Sequence, residues 1–255
     1  MKTIGLLSGK GGVGKTSSAI NIAAALHYLG NKSIVIDTNF TTPNVGLHLG
    51  YPTHPASIHN VLKGEKKIHD AIYRHPTGFH FIPGSLAVED MESLKLGQLK
   101  TIKQLDADYL ILDGAAGLGK EALATMEHAD ELIIVTNPEL PAITDALKTI
   151  RIAQALGKTV KGILVTRKRN DTLDISLKNI EAMLEIPIIG VIPEDNNMRQ
   201  ALAMKDTIIY THPQSNAAKS YVRFAAALSG QEIADDNIKL NWIDKFFKLF
   251  KRIPQ

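Results

Sequence analysis

The sequence predicts an α/β protein built on a doubly wound, mostly parallel sheet with helices on both faces. Three observations lead to this: apolar runs without polar alternation, helical patterns between them, and a glycine-rich loop at the first strand–helix junction. At 255 residues, with 44% hydrophobic and 22% charged residues, the chain is long enough for one such domain with a substantial core.

The predicted strands are short runs rich in Val, Ile and Leu, as buried parallel strands are. They are Thr3–Leu7, Ser33–Ile36, Phe79–Ile82, Tyr109–Leu112, Glu131–Val135, Val160–Val165 and Ile188–Val191. The predicted helices are Thr16–Leu29, Pro141–Ala155, Ser176–Leu184, Asn197–Ala203 and Ala217–Leu228. In a sheet of this kind ligands bind beyond the carboxyl ends of the strands.

The loop after the first strand fits the phosphate-binding pattern G-x-x-x-x-G-K-[ST], with Gly9, Gly14, Lys15 and Thr16 at the fixed positions. Backbone N–H groups of such a loop surround phosphate oxygens, the lysine reaches the β- and γ-phosphates, and the threonine hydroxyl holds Mg²⁺. The predicted phosphate site is Gly9, Lys10, Gly11, Gly12, Val13, Gly14, Lys15, Thr16 and Ser17.

The run from Lys10 to Thr16, Lys-Gly-Gly-Val-Gly-Lys-Thr, resembles the deviant Walker A motif of the MinD/ParA ATPases. The resemblance implies the P-loop NTPase fold and ATP as the nucleotide. In that family the early lysine crosses a dimer interface and touches the partner's nucleotide, so Lys10 implies an ATP-bound homodimer. The alternative is a solvated loop lysine.

Two aspartates are expected beside this loop. Asp113 follows the apolar run Tyr109–Leu112 and resembles the family's Walker B position, with Ala115 where the following loop usually has proline. Asp37 follows the second strand and resembles the start of switch I. The predicted metal site is therefore Thr16, Asp37 and Asp113, with Lys10 and Lys15 completing the charged groups of the catalytic site.

Position 39 departs from the family pattern Asp-x-Asp, because Asn39 stands where the second aspartate orients the attacking water. An amide hydrogen-bonds water but cannot take its proton. We hypothesise slow or lost hydrolysis with ATP binding retained. Two alternatives stay open: Asn39 positions water adequately, or Asp37 substitutes for the missing acid.

The nucleotide base is expected near two further loops that resemble those of the family. Thr166 and Arg167 stand where an Asn-Arg pair commonly reads the base, and Pro193, Glu194 and Asp195 follow the last strand. A third loop, Thr136–Glu139, also resembles one placed beside the nucleotide. Turn chemistry at strand ends is the alternative reading of all three.

The C-terminus predicts an amphipathic helix over residues 240–255, after a polar linker at 231–239 and an ATPase domain at 1–230. Aromatic and aliphatic residues share one side and lysines the other, which is typical of an interfacial membrane anchor. The proposed membrane-contacting residues are Trp242, Ile243, Phe246, Phe247, Phe250, Lys245, Lys248 and Lys251. Packing on the protein itself or on a partner is the alternative.

Charge and cysteine content exclude several functions. The net charge is +3, residues 240–255 carry all of that excess, and the remainder is neutral. A neutral body predicts no specific nucleic-acid binding, and with the tail it favours a MinD-like over a ParA-like protein. The absence of cysteine excludes thiolate metal sites and disfavours a metal-cluster carrier of the same superfamily.

Together these features predict an ATP- and Mg²⁺-dependent switch that dimerises and binds an anionic membrane surface. The resemblance implies spatial positioning, such as division-site placement, with an unidentified regulatory protein partner and a location at the inner face of the cell membrane. Two alternatives are a flagellar regulator resembling the FlhG ATPases and an ATP-locked scaffold.

Overall fold

A computed structural model describes residues 1–169 and 171–233. Its centre is a sheet of eight strands in the order β3-β4-β2-β5-β1-β6-β7-β8. The strands are β1 (Lys2–Ser8), β2 (Ser33–Thr38), β3 (Tyr73–Arg74), β4 (His80–Ile82), β5 (Tyr109–Ala116), β6 (Glu131–Thr136), β7 (Val160–Lys168) and β8 (Ile188–Pro193). All neighbouring pairs are parallel except β3 with β4, so the predicted fold class is confirmed.

Nine α-helices connect and cover the strands within the described residues. They are α1 (Lys15–Tyr28), α2 (Val45–His48), α3 (Ile58–Lys63), α4 (Lys120–His128), α5 (Leu140–Ala155), α6 (Leu177–Leu184), α7 (Asn197–Ala203), α8 (Ile208–Thr211) and α9 (Asn216–Ser229). Short 3₁₀ segments occupy Ile68–Ala71, Val88–Met91 and Leu96–Gln104.

The seven predicted strands and five predicted helices all occur, with ends shifted by a few residues. Sequence reasoning missed β3, α2, α3, α4 and α8. Four of these have six residues or fewer, too few for a periodic pattern. The miss at α4 matters most, because its nine residues lie directly after the Asp113 loop and contribute to the site.

Both faces of the sheet are apolar, which explains why the strand sequences do not alternate. Val35 packs in the hydrophobic cluster on one face with α1 and α9, while its neighbours Ile34 and Ile36 pack in the cluster on the other face with α3 and α4. In β5, Ile111 packs in the first of these clusters and Leu112 in the second. Successive side chains of a strand point to opposite faces, so a sheet covered twice requires apolar residues at every position.

The predicted tail helix and most of the linker lie outside the described residues. Helix α9 ends at Ser229, and Gly230 adopts the left-handed conformation that commonly terminates a helix. In the described part of the chain, no helix has the length and apolar character needed to cross a membrane.

We expect Gly114→Ala to destabilise the protein, because β1 and β5 approach too closely for a side chain here. A Cβ at Gly114 would lie 2.8 Å from the Leu6 carbonyl oxygen and 2.7 Å from Leu7 Cδ2. Overpacking of this kind costs about 1–3 kcal/mol of unfolding free energy, measurable by urea denaturation. Gly97→Ala is the matched control, because no atom lies within 4 Å of a Cβ at that position. Equal stability of the two variants would contradict this packing.

Candidate nucleotide-binding site

The glycine-rich loop connects the end of β1 to the start of α1, as the sequence predicts. Gly14 precedes the first residue of α1 with a φ of 86°, a conformation that suits glycine best. The loop forms one wall of a cleft of about 830 Å³ at the carboxyl edge of the sheet. Loop residues lining this cleft are Gly11, Gly12, Gly14, Lys15, Thr16 and Ser17. Its volume is within the range typical of small-molecule sites.

Lys15 reaches back from the loop to the sheet. Its Nζ lies 3.2 Å from Asp113 Oδ1, and both side chains are buried. The other oxygen, Asp113 Oδ2, is buried without a hydrogen-bond partner in the described structure. A buried carboxylate oxygen without a donor is costly, so this atom is suited to a cation or an ordered water that arrives with a ligand.

Asp37 lies on the neighbouring strand, directly opposite Asp113 in the β2–β5 register. Its carboxylate accepts backbone hydrogen bonds from Asn39 at 3.1 Å, Asn44 at 2.8 Å and Val45 at 2.9 Å. Burial, and then the nearby charge of Asp113, raise the pKa of Asp37 to about 7 despite these three donors. Two buried acids therefore lie side by side on adjacent strands, and one of them, Asp113, pairs with Lys15.

The residues present fit Mg²⁺ with a nucleotide phosphate. Asp113 and Asp37 supply carboxylates at the strand ends, and Thr16 contributes a hydroxyl at the cleft. Mg²⁺ prefers oxygen ligands and keeps several waters, so it needs few protein side chains. The described residues contain no cluster of three or more acidic, histidine or cysteine side chains that could hold a metal alone.

The segment between β2 and α2, residues 39–44, forms the opposite wall of the cleft, and we refer to it as the β2–α2 loop. Asn39 lines the cleft, but its amide is engaged within the loop. Its Nδ2 donates to the carbonyl and hydroxyl oxygens of Thr42 at 2.7 and 3.0 Å. Its Oδ1 lies 3.2 Å from the same hydroxyl. The amide therefore stabilises its own turn in this structure.

Two side chains outside the β2–α2 loop hold its backbone in place. Glu121, in the first turn of α4, accepts hydrogen bonds from Phe40 N at 3.0 Å and from the Thr41 hydroxyl. Buried His59 contacts the Phe40 carbonyl through Nε2 at 2.8 Å and accepts from Ser85 N through Nδ1 at 2.9 Å. Because Nδ1 accepts the Ser85 N–H, the ring proton is assigned to Nε2, and burial lowers the pKa of His59, which favours this neutral form. Sequence reasoning missed both residues.

The two predicted base loops meet beside the phosphate loop. A cavity of about 300 Å³ adjoins the main cleft and contains all five predicted base-site residues in its lining. They are Thr166, Arg167, Pro193, Glu194 and Asp195, joined there by Gly14, Ser17, Met198, Arg199 and Tyr221. Parallel strands β7 and β8 end side by side, which brings residues far apart in sequence to one edge.

The side chains of Thr166 and Asp195 form hydrogen bonds with neighbouring backbone or side-chain groups. The buried Thr166 hydroxyl lies 2.6 Å from the Val13 carbonyl and 2.8 Å from Asn137 Oδ1, so it attaches the phosphate loop to β7. Asp195 accepts from Asn197 N and Ala217 N at 2.9 and 3.2 Å, at the starts of α7 and α9. Contacts with a base stay predictions for both residues. Asn137, of the third predicted loop, supports Thr166.

Lys10 is exposed at the front of the phosphate loop, where the Ser8 hydroxyl donates to its carbonyl at 3.0 Å. Within residues 1–169 and 171–233 its ammonium group forms no ion pair. The lysine is therefore available to a group outside the described chain.

A lysine-bearing loop at a helix N-terminus, faced by strand-end carboxylates, defines the class of P-loop nucleotide hydrolases. The profile of the family described as "CobQ/CobB/MinD/ParA nucleotide binding domain" matches residues 4–208. The chain belongs to this family, and within it to the MinD/ParA P-loop ATPases.

Two relatives extend over nearly the whole chain. An uncharacterised ATP-binding protein of Methanocaldococcus jannaschii is 39% identical over 98% of this chain and 97% of its own length. The septum site-determining protein MinD of Buchnera aphidicola is 32% identical, again over 98% and 97%.

Three solved structures share the fold. MinD of Pyrococcus furiosus gives a TM-score of 0.85 at 30% identity, over 90% of this chain and 98% of that one. MinD of Pyrococcus horikoshii complexed with Mg-ADP has a TM-score of 0.84 at 30% identity, and the match covers 89% of this chain and 95% of that one. The MinC:MinD complex of Aquifex aeolicus has a TM-score of 0.83 at 26% identity, and the match covers 92% of this chain and 98% of that one.

The raised pKa of Asp37 predicts a specific pH dependence of stability for the ligand-free protein. The folded state holds the Asp37 proton more tightly than the unfolded state, so this contribution to stability is complete below pH 3.8 and is lost as pH rises to about 7. Asp37→Asn removes the titration. The wild-type minus Asp37→Asn difference in unfolding free energy should therefore fall between pH 5 and 7 and level off above, measured by urea denaturation.

Asp106→Asn serves as the control, because the pKa of exposed Asp106 lies below its usual value owing to Lys32 and so outside this pH window. That variant should follow the wild-type slope. A wild-type minus Asp37→Asn difference that is constant with pH would contradict the raised pKa.

Proposed function

We propose that this protein is an ATP-dependent molecular switch of the MinD type, which dimerises with ATP and associates with a membrane surface through its C-terminal segment. The observation that carries the proposal is the cleft: Lys15, paired with the buried Asp113, lines it, and Lys10 is exposed beside it. Binding and sensing of nucleotide phosphate need the Lys15–Asp113 pair. Action on a second subunit needs an exposed group such as Lys10.

In this proposal phosphate oxygens attract Lys15 away from Asp113, because the phosphates carry more negative charge than one carboxylate. Thr16, Asp37 and Asp113 would then hold Mg²⁺, which would supply neutralisation of the phosphate charge. The carboxylate of Asp37 anchors three backbone N–H groups of the β2–α2 loop and the start of α2, so a change at the metal site would reach this loop directly.

In this proposal Lys10 binds the nucleotide of a second copy of the chain. Its exposed ammonium group has no ionic partner in the described residues, and a phosphate of the partner's nucleotide would supply one. Dimerisation would then depend on ATP.

The membrane part of the proposal rests on the sequence of residues 240–255. Each lysine or arginine near an anionic surface contributes about 1 kcal/mol, so a single tail binds reversibly. Two tails joined in a dimer bind more tightly through effective concentration alone. The names of the MinD relatives support a task in spatial positioning, such as division-site placement. The Aquifex MinC:MinD complex supports a regulatory protein as a partner.

A non-hydrolysing scaffold is the second candidate, favoured by one observation. The amide of Asn39 is engaged with Thr42 and stands at the family's water-orienting position. A flagellar regulator of the FlhG type would use the same switch with another partner, and partner identification separates it from a division role.

We expect full-length protein to pellet with anionic phosphatidylglycerol-containing liposomes in ATP and much less in ADP or without nucleotide. Deletion of residues 240–255 should abolish pelleting in every state while ATP binding persists. Equal pelleting of the full-length and the truncated protein would refute the membrane anchor, and nucleotide-independent pelleting of the full-length protein would refute the nucleotide switch.

Lys10→Ala is the matched variant for the dimer. It retains Lys15 and the tail, so it should bind ATP but lose ATP-dependent pelleting and the ATP-dependent dimer in sedimentation velocity. A variant that dimerises like the wild type would contradict the role of Lys10.

We expect Asn39→Asp to raise the steady-state rate of phosphate release. A carboxylate in the β2–α2 loop accepts the water proton, and general-base assistance contributes about 10²–10⁴-fold in enzymes generally. An increase of at least about tenfold is expected here because the rest of the site is unchanged. Equal rates for wild type and variant would show that position 39 does not limit turnover.

A further inference from the structure

One acidic side chain of the cleft has no part in the nucleotide- and metal-binding roles assigned above. Glu121 is the one carboxylate among the described residues that line the cleft, where it lies with Asn39, Thr41, Thr42 and the phosphate loop. Asp37 and Asp113 are 1% and 0% exposed and do not line it. An acid that must contact a water in the cleft therefore has one candidate in this part of the chain.

Neighbouring bonds fix the position of Glu121. Its backbone carbonyl accepts from the Thr125 hydroxyl at 3.0 Å, and that hydroxyl lies 2.9 Å from the hydroxyl of Thr38 at the end of β2. The side chain extends from the first turn of α4 to Phe40 N and the Thr41 hydroxyl. Helix α4 is thus joined to the end of β2 through Thr125 and to the β2–α2 loop through the Glu121 carboxylate, which lies between the helix and the loop.

The carboxylate retains capacity for a further donor. Each carboxylate oxygen can accept about two hydrogen bonds, and each oxygen of Glu121 accepts one in this structure. The other two acids of the site are buried outside the lining of the cleft: Asp37 binds three backbone N–H groups, and Asp113 pairs with Lys15 through Oδ1, with Oδ2 left for the metal site proposed above. The Asn39 amide is engaged with Thr42.

We propose that Glu121 is the acid that orients the water attacking the γ-phosphate, in place of the carboxylate that position 39 lacks. The inference rests on the ATP site proposed above. A carboxylate from α4 thereby supplies what the β2–α2 loop cannot, and the resulting hydrolysis is slower than a carboxylate at position 39 would allow.

In the proposed step the water oxygen forms a bond to the γ-phosphorus, and the bond from that phosphorus to the β–γ bridging oxygen breaks. The bond's electron pair leaves with ADP. Glu121 accepts one water proton and afterwards passes it to the released phosphate or to solvent, so the carboxylate is regenerated. Phosphoryl transfer depends chiefly on positioning and charge neutralisation, which makes a well-placed acceptor sufficient.

The test measures single-turnover hydrolysis of ATP and, separately, equilibrium binding of ATP in full-length wild type, Glu121→Gln, Asn39→Asp, Asn39→Asp/Glu121→Gln and Glu127→Gln. Glu127 is the matched control, because it lies on the same helix but is exposed and does not line the cleft. We expect Glu121→Gln to lower the hydrolysis rate about 100-fold, as loss of general-base assistance does. Its dissociation constant for ATP should stay within about threefold of wild type, since only transition-state stabilisation is removed.

The double variant separates a catalytic from a structural role. If Glu121 acts on water, a carboxylate at position 39 takes over its function and rescues the loss, so Glu121→Gln should lower the rate far less in the Asn39→Asp protein than in wild type. If Glu121 merely holds the β2–α2 loop, there is no such rescue, and Glu121→Gln lowers the rate by the same factor in both proteins, because the gain from Asn39→Asp is then independent of it. Glu127→Gln should hydrolyse ATP at the wild-type rate.

Three results would overturn the inference and leave the ATP site standing: Glu121→Gln hydrolysing within about twofold of wild type, a loss without rescue, or a wild type that binds ATP without hydrolysing it. A wild type that binds no ATP would overturn the proposed function as well, so the two failures are distinguishable.

Discussion

The burial of two acids beside one lysine is the constraint on which the rest of the site depends. Asp37 and Asp113 lie opposite each other on adjacent strands, and Lys15 pairs with Asp113 from the phosphate loop. Removing one member of a buried charged group leaves the others uncompensated, which is costly. With two acids and one lysine, the ligand-free arrangement has more acidic than basic groups, so a bound cation would supply the positive charge that it lacks.

The conformation of the β2–α2 loop depends on this charged centre, because Asp37 binds the backbone of the loop. Asp37 anchors its two ends through backbone N–H groups, while His59 and Glu121 hold Phe40 in the middle. Three different elements thus determine one short loop. A loop held in this way has few independent conformations, so a displacement of Asp37, His59 or Glu121 would change it through a small number of hydrogen bonds.

Thr166 illustrates how the structure changes the meaning of a departure from a family pattern. From sequence, a threonine in place of asparagine indicates a weaker base contact. In the structure its hydroxyl attaches the phosphate loop to β7 through Val13 and contacts Asn137. The cavity beside the main cleft still forms around it, with Arg167 and the β8 loop as its other walls. The residue therefore has a structural role that the motif comparison does not reveal.

The sequence by itself determined the sheet, the helix pairing, the phosphate loop and the strand-end aspartates, because apolar periodicity and the glycine-lysine spacing are local signals. It did not determine the short elements β3 and α8, whose form depends on their neighbours. It also did not indicate Glu121 or His59, since both act through contacts with Phe40, which is 81 positions from Glu121 and 19 positions from His59 in the chain. Only the tertiary structure decides which carboxylate reaches the cleft, because that depends on how α4 packs beside the end of β2.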